Sequence, residues 1–381
     1  MFIIDRYVLQ LFVKVLAICF ISFTGLFIII DAFGNLEEFL DYGAKRGSLV
    51  MVMVEYYGAR TLSFFDRTSS LLALISAMFV VTWMQRSNEL TAVMAAGIPK
   101  LRIVKPLIAA AVVVSLLGIV NREFFIPSVR EQLSHNMQDP EGTVAQTIHR
   151  QYDHRTKIFL NGSGTFFGDK RIAMPRFQLP PNNHQFAAYG RELAAANAYY
   201  REAEDGRPAG YLLDVVEHPA NLTEIDSVRL RGRDAILSPK DTPWLEDTQC
   251  FVVSDVNFAM LTVGNPWKQF SSTYELISGL NNPSLNVGAD VQVTIHARLV
   301  QPLLDLSLLL LGLPMVLKRE SRNIFVSAGL CLVVVAAYFL IVIACHGMGS
   351  NYLLKPAALA AWAPLMIFGP VAYAVFRSLR E

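Results

Sequence analysis

Four places in this sequence carry residue types that can do chemistry. Asp305 stands inside an apolar run from about Ile295 to Leu317, and a carboxylate inside a membrane span is costly enough to suggest function by default. The same residue could instead sit near the interface, pair with a neighbour such as Arg67, or carry a proton. His149 and His154 are five apart in a turn-rich stretch, a spacing that does not share a helical face, so they read as surface histidines. Gly162-Ser163-Gly164 sets a serine between glycines but lacks the strand-GxSxG-helix context of a nucleophile elbow. The fourth place is Gln85 to Pro106, QRSNELTAVMAAGIPKLRIVKP. Arg86, Lys100, Arg102 and Lys105 outweigh Glu89 there, and short loops with that bias stay on the cytoplasmic side. Leu90, Val93, Met94 and Gly97 recur at helical spacing, and Gly97-Ile98-Pro99 supplies a helix stop. The chemistry of this stretch is contact: a short helix under the membrane that a cytoplasmic partner can push.

Other chemistries lack their residues. GxxxxGK[ST], whose amides would cradle nucleotide phosphates, is absent, and so is HExxH. There are 4 cysteines. Cys19, Cys331 and Cys345 fall in apolar runs, Cys250 stands alone, and no CxxC occurs, so neither a metal knuckle nor a disulfide framework is indicated. A net charge of +1 and the lack of a basic-aromatic patch give no reason to expect nucleic acid. No metal site and no cofactor of its own is expected for the chain.

The elements that position these residues follow from hydropathy. The overall 53% hydrophobic content hides two apolar regions, about 1–120 and 290–381, around a polar middle. Asp5-Arg6-Tyr7 precedes a first span reaching Ile30, with Lys14 snorkelling. Its length argues against a cleaved signal peptide. Asp31 to Arg60 reads as an acidic outer connection carrying Asp31, Glu37, Glu38, Asp41 and Glu55 with Lys45 and Arg46. Spans follow at about 61–84, with Asp66 and Arg67 as an interfacial pair, and at 103–120. Asn121 to Met137 reads as a helical exit broken at Pro127. After a linker near Asn281-Asn282-Pro283, spans are expected at about 295–317, 324–345 and 357–376. Lys318, Arg319, Arg322, Arg377 and Arg380 mark cytoplasmic ends, and His346-Gly347-Met348-Gly349 reads as an outer turn before Lys355-Pro356.

The middle alternates. Val228, Leu230 and Gly232 alternate with Arg229, Arg231 and Arg233; Val256, Phe258 and Met260 alternate with Asp255, Asn257 and Ala259. Period-two alternation reads as antiparallel strands with one covered face. Asn161-Gly162, Gly168-Asp169, Pro180-Pro181-Asn182-Asn183 and Asp205-Gly206 mark turns. The fold class is therefore an α-helical membrane protein with six transmembrane helices and an inserted all-β, jellyroll-like domain. We divide it as 1–130 (first three spans with the handle at about 86–97), 131–280 (β domain) and 281–381 (last three spans).

Arg86-Ser87-Asn88-Glu89-Leu90 followed by Ala95-Ala96-Gly97-Ile98 closely resembles the coupling-helix signature of the LptF/LptG (YjgP/YjgQ) permease family. Asp5-Arg6-Tyr7, Ala297-Arg298-Leu299 with Gln301-Pro302-Leu303, and Ala360-Ala361-Trp362-Ala363-Pro364 resemble family motifs in the same order, over nearly the whole chain. The resemblance implies a permease subunit of the ABC transporter that extracts lipopolysaccharide from the inner membrane. It implies a second permease subunit, a dimeric cytoplasmic ATPase (LptB-like) holding ATP and Mg, and periplasmic jellyroll bridge proteins (LptC/LptA-like). Arg86, Glu89, Leu90, Met94 and Gly97 would lie at the ATPase contact. Lipid contacts would fall to Lys45 and Arg46 at the outer mouth and to Val228, Leu230, Val256, Phe258 and Met260 inside the β domain. LptG-type members place lysines near the outer end of the first span, where this chain has Asp31, Glu37 and Glu38. Met94 stands where a basic residue is common. The competing readings are a membrane-anchored scaffold or sensor that moves nothing, which has no need of a handle, and a lipid-modifying enzyme, for which no paired acid and base is present.

Overall fold

The computed structural model describes residues 3–134, 139, 142–181, 183–204, 207–230, 232–262, 266–280, 289–318, 324–351, 353–354 and 356–377. The expected linker at Asn281-Asn282-Pro283, the turn at Asp205-Gly206, and Asn182, Arg231, Arg319, Arg322, Lys355 and Arg380 lie outside the described residues. The chain divides into two compact units, Met1–Val129 with Gly288–Glu381, and Arg130–Val287.

The first unit is helical. Its first half is α1 (Ile3–Gly34), α2 (Leu36–Arg46), α3 (Leu49–Arg86), α4 (Glu89–Ala95) and α5 (Lys100–Val120); its second is α6 (Ala289–Lys318), α7 (Ile324–Ser350) and α8 (Ala357–Arg377). All but α2 and α4 are long and apolar enough to cross a bilayer, which takes about 20 residues of helix that satisfies its own backbone. This is a multi-pass membrane protein. Val8 and Phe12 of α1, Ala77, Val80 and Met84 of α3, Ile103 and Leu107 of α5, and Leu304 and Leu308 of α6 share one buried core, so both halves pack as one unit.

Two sequence expectations are corrected here, and a third is refined. The stretch from Asp31 to Arg60 is helix throughout most of its length: α1 runs on to Gly34, α2 occupies Leu36–Arg46, and α3 begins at Leu49. Leu36, Phe39, Leu40 and Gly43 form a helical stripe opposite the acids; Phe39 is buried and packs on Tyr56 and Tyr57. Gly47, at φ +79°, ends α2, and the Ser48 side chain caps α3 by accepting from the Met51 N–H. His346 to Gly349 is not a turn but lies inside α7. A Cβ on Gly349 would stand 2.4 Å from the Ala360 Cβ and 2.8 Å from Val293, so this glycine serves close helix approach. The exit helix, from Lys100 to Ser128, continues through Pro127 and breaks at Val129, two residues past Pro127. A π turn at Asn121–Phe125 precedes it, and this wider turn absorbs the clash that a proline ring makes with the carbonyl four residues back.

The second unit is built on a ten-stranded antiparallel sheet: β1 (Gln151–Tyr152), β2 (Phe159–Leu160), β3 (Gly164–Phe166), β4 (Arg171–Ala173), β5 (Arg176–Gln178), β6 (Glu192–Arg201), β7 (Gly210–His218), β8 (Val228–Leu230), β9 (Arg233–Leu237) and β10 (Cys250–Val253). The order is β1-β2-β5-β6-β7-β10-β9-β8, with β3 on β4 and β4 on β6. The sheet curls on itself as a half-barrel. Asn161-Gly162 joins β2 to β3, and Gly168-Asp169 turns β3 into β4. Tyr211, Phe177, Leu193, Leu213 and Val252 are fully buried. Cys250 is buried too, and burial pushes its thiol up to about 12, which leaves it inert.

One residue the alternation could not show pins the sheet's first turn. The buried Asp153 carboxylate accepts from the Ser254 hydroxyl at 2.7 Å and from the backbone N–H groups of Arg155 (2.8 Å), Thr156 (3.2 Å) and Asp255 (3.2 Å). It thereby fastens the turn after β1 to the segment leaving β10. Asp153→Ala orphans those donors, and we expect the β unit to lose about 2–4 kcal/mol, read as an earlier chemical-denaturation midpoint. An unchanged midpoint would show that the turn holds without the carboxylate.

Candidate functional site

The handle is built locally. Asn88, at φ +58°, turns the chain out of α3, and α4 runs seven residues from Glu89 to Ala95. The stop expected at Gly97 is there, at φ +80°. The Gly97 N–H donates to the Met94 carbonyl (2.9 Å) and the Ile98 N–H to the Val93 carbonyl (3.2 Å), the paired bonds of a Schellman stop that suits glycine. Leu90 is buried in the helical core, with Val93 packed against it, whereas Arg86, Met94 and Gly97 are exposed. Leu90 thus anchors α4 to the spans within this chain.

The start of α1 reaches the handle. Tyr7 Oη donates to both oxygens of the half-buried Glu89 carboxylate, at 3.2 and 3.0 Å. Arg102, just past the handle, meets Asp5 at 3.5 Å. Gln85 Nε2 donates to the Val316 carbonyl of α6 at 3.0 Å. α1 thus holds the handle directly, and the residues flanking it tie α5 to α1 and α3 to α6. Sequence reasoning placed Asp5-Arg6-Tyr7 only as a motif. Its signal was polarity at the very start of an apolar helix, where residues have little reason to be polar except for contact outside the hydrocarbon.

At the opposite ends of α1 and α3, Tyr57 Oη donates to Asp31 at 3.0 Å, and the Arg60 guanidinium lies 3.5 Å over the Tyr56 ring. Lys45 is exposed near the end of α2, and Arg46 is its last residue. The expected Asp66–Arg67 pair is not formed; Asp66 pairs with Arg122 at 2.8 Å, and Arg67 is exposed.

In the β unit, Val228 is buried and Leu230 half-buried on the edge strand β8. Arg229 points outward and meets Asp234 at 2.8 Å. The alternation at Val256, Phe258 and Met260 is not a strand. Asn257 accepts from the Met260 N–H at 3.2 Å and caps a helical turn, Phe258–Leu261. All three apolar residues are buried nonetheless, and the Val256 carbonyl accepts from Tyr211 Oη at 2.9 Å. They belong to a closed core.

A family model described as "Lipopolysaccharide export system permease LptF/LptG" matches residues 6–172 and 255–378. This chain belongs to the LptF/LptG family. No curated protein matches it. The matched ranges contain all six spanning helices, the handle and the capped turn at Phe258–Leu261. The unmatched stretch, 173–254, holds the centre and one edge of the half-barrel, β5 to β10. In this LptF/LptG permease the match therefore takes in the helices, the handle and the first strands of the β unit.

Proposed function

We propose that this chain is one permease subunit of an ABC transporter in the cell inner membrane, working with a second LptF/LptG-type subunit and a dimeric cytoplasmic ATPase. That ATPase binds the ATP and Mg, and grips α4. The pair extracts lipopolysaccharide and passes its acyl chains to the periplasmic β unit, from which bridge proteins of similar jellyroll fold carry it onward. The observation that supports this reading is the handle of a family permease: a short helix, stopped by a left-handed glycine and tied to α1 through Tyr7. A scaffold would have no use for it. Co-purification tests the reading. An ATPase should accompany the detergent-solubilised chain, and a chain that purifies from its native membrane with no ATPase contradicts it.

Orientation gives a second expected result. With the handle in the cytoplasm and 130–287 outside, a cysteine at Lys240 in a chain cleared of its own cysteines should react with an impermeant maleimide in intact cells. One at Ser87 should react only after permeabilisation. Both positions are exposed on the protein, so the reverse pattern would invert the topology.

The cargo's phosphates are anionic, and the mouth of this subunit carries more acid than base. We expect Lys45→Glu with Arg46→Glu to weaken lipid binding only about three-fold, the scale of a rim charge, while reversal of basic residues on the partner permease removes it. Loss of all extraction from the Lys45/Arg46 double variant, with the complex assembled, would place the phosphate grip here.

A further inference from the structure

A polar seam runs through the helices at the end opposite the handle. Asn121 Nδ2 donates to the Leu62 carbonyl at 2.8 Å. One turn along, Arg122 Nε meets Asp66 at 2.8 Å. Next, Ser69 Oγ lies 3.3 Å from where a Cβ on Gly118 would stand, so α3 and α5 approach closely there. The last rung brings in a third helix: Ser115 Oγ of α5 donates to Asp305 Oδ2 of α6 at 2.8 Å, and Gln301 Nε2 donates to Oδ1 at 2.8 Å. The expected partner Arg67 takes no part, and among the described residues no cation lies within ion-pair distance of Asp305. A cavity of about 20 Å³ bordered by Ser69, Ser70, Ser115, Pro302 and Asp305 has room for one water.

A carboxylate held inside a span by a hydroxyl and an amide, with no cation at ion-pair distance among the described residues, is an expensive arrangement for stability alone, since apolar packing would serve as well. Its position suggests its use. α6 is joined to its neighbours by side-chain hydrogen bonds at two levels: to α3 by Gln85 on the Val316 carbonyl beside the handle, and to α5 by Ser115 on Asp305 at the far end. The handle displaces the near ends of α3 and α5, because it is the loop between them. We propose that Asp305 is a positioning residue that locks α6 to α5 at the far end, so that, with Gln85 joining α6 to α3 beside the handle, displacement of the handle is delivered to the far ends of these helices, including the π turn from which the chain leaves for the β unit. This inference rests on the permease reading for its coupling role, but not for the lock.

Two measurements on the full complex separate these. Spin labels at Val120 and Leu299, both exposed, report the α5–α6 separation at the far end. The wild-type chain should give one narrow distance distribution, Asp305→Leu a broad one, and Ser115→Ala, which removes a single hydroxyl, an intermediate one. An unchanged distribution in Asp305→Leu overturns the lock whatever the protein transports. In proteoliposomes with ATPase and partner permease, Asp305→Leu should keep ATP hydrolysis within about two-fold while lipopolysaccharide released per ATP falls about ten-fold, with Ser115→Ala between. A broadened distance with unaltered release per ATP overturns the coupling role. If the wild-type complex itself releases no lipid, the permease reading fails, and the distance distributions still decide the lock.

Discussion

Glu89→Lys is expected to abolish ATP-driven transport while leaving the chain inserted and folded. Glu89 opens α4 and is the sole acid among Arg86, Lys100, Arg102 and Lys105. Its carboxylate is held by Tyr7 rather than by an ion pair, so its negative charge remains available to a basic group on the ATPase. Reversal removes that attraction and adds repulsion; disruption of a close interfacial charge pair costs ~2–5 kcal/mol, about 30-fold or more in affinity. The fold should tolerate the change, because Leu90 and Val93 still anchor α4 and the Schellman stop is backbone-borne. Tyr7→Phe is the control. It removes one hydroxyl worth about 0.5–1.5 kcal/mol, so ATPase association should weaken only several-fold. Pull-down of the ATPase on the variant chain, with native expression and thermal stability, checks both. Full retention of ATPase by Glu89→Lys would remove Glu89 from the interface.

Much of this helix was legible in the sequence because its signals are local. Glu89 to Ala95 follows from spacing, and its stop from Gly97. The burial of Leu90 was not legible in a seven-residue helix; it follows from the core that Leu90 shares with Val8, Met84 and Ile103. The same limit explains α2: three acids in eleven residues read as part of an outer connection, although Leu36, Phe39 and Leu40 already spaced out a helix. Glycines misled in the other direction at His346–Gly349, where they serve close packing. Contacts between distant segments, such as Tyr7 with Glu89, Asp66 with Arg122 and Ser115 with Asp305, leave no periodic trace at all. In the β unit, period two was right at Val228 and Leu230 but coincided with a capped helical turn at Phe258–Leu261. Burial alternates there because Asn257 turns outward to cap, not because the backbone is pleated.

That correction changes what lipid passage through the β unit requires. Phe258, Val256 and Met260 are sealed within the core, while Leu230 lies half-open on the last strand of the sheet. On the proposed route an acyl chain moving along the half-barrel would meet Leu230 first and reach Phe258 only if the core parted. A photo-crosslinker at Leu230 should therefore capture lipopolysaccharide during ATP hydrolysis at least about five-fold more than one at Arg229, whose neighbour in the strand faces the other way. Phe258 should label only in the presence of ATP, and Asn257, committed to its cap, should not label. The expected ratio is large because the two faces of β8 differ in kind: one side chain is apolar and half-buried, the other a guanidinium paired to Asp234. Equal capture at Leu230 and Arg229 would send the lipid by another route.

The most direct test of the central claim is release of lipopolysaccharide from proteoliposomes holding this chain, its partner permease and the ATPase, with periplasmic acceptor protein outside. The account predicts release that requires ATP and falls to background with Glu89→Lys in this chain. Release that continues undiminished with Glu89→Lys, or that proceeds equally without ATP, would contradict it.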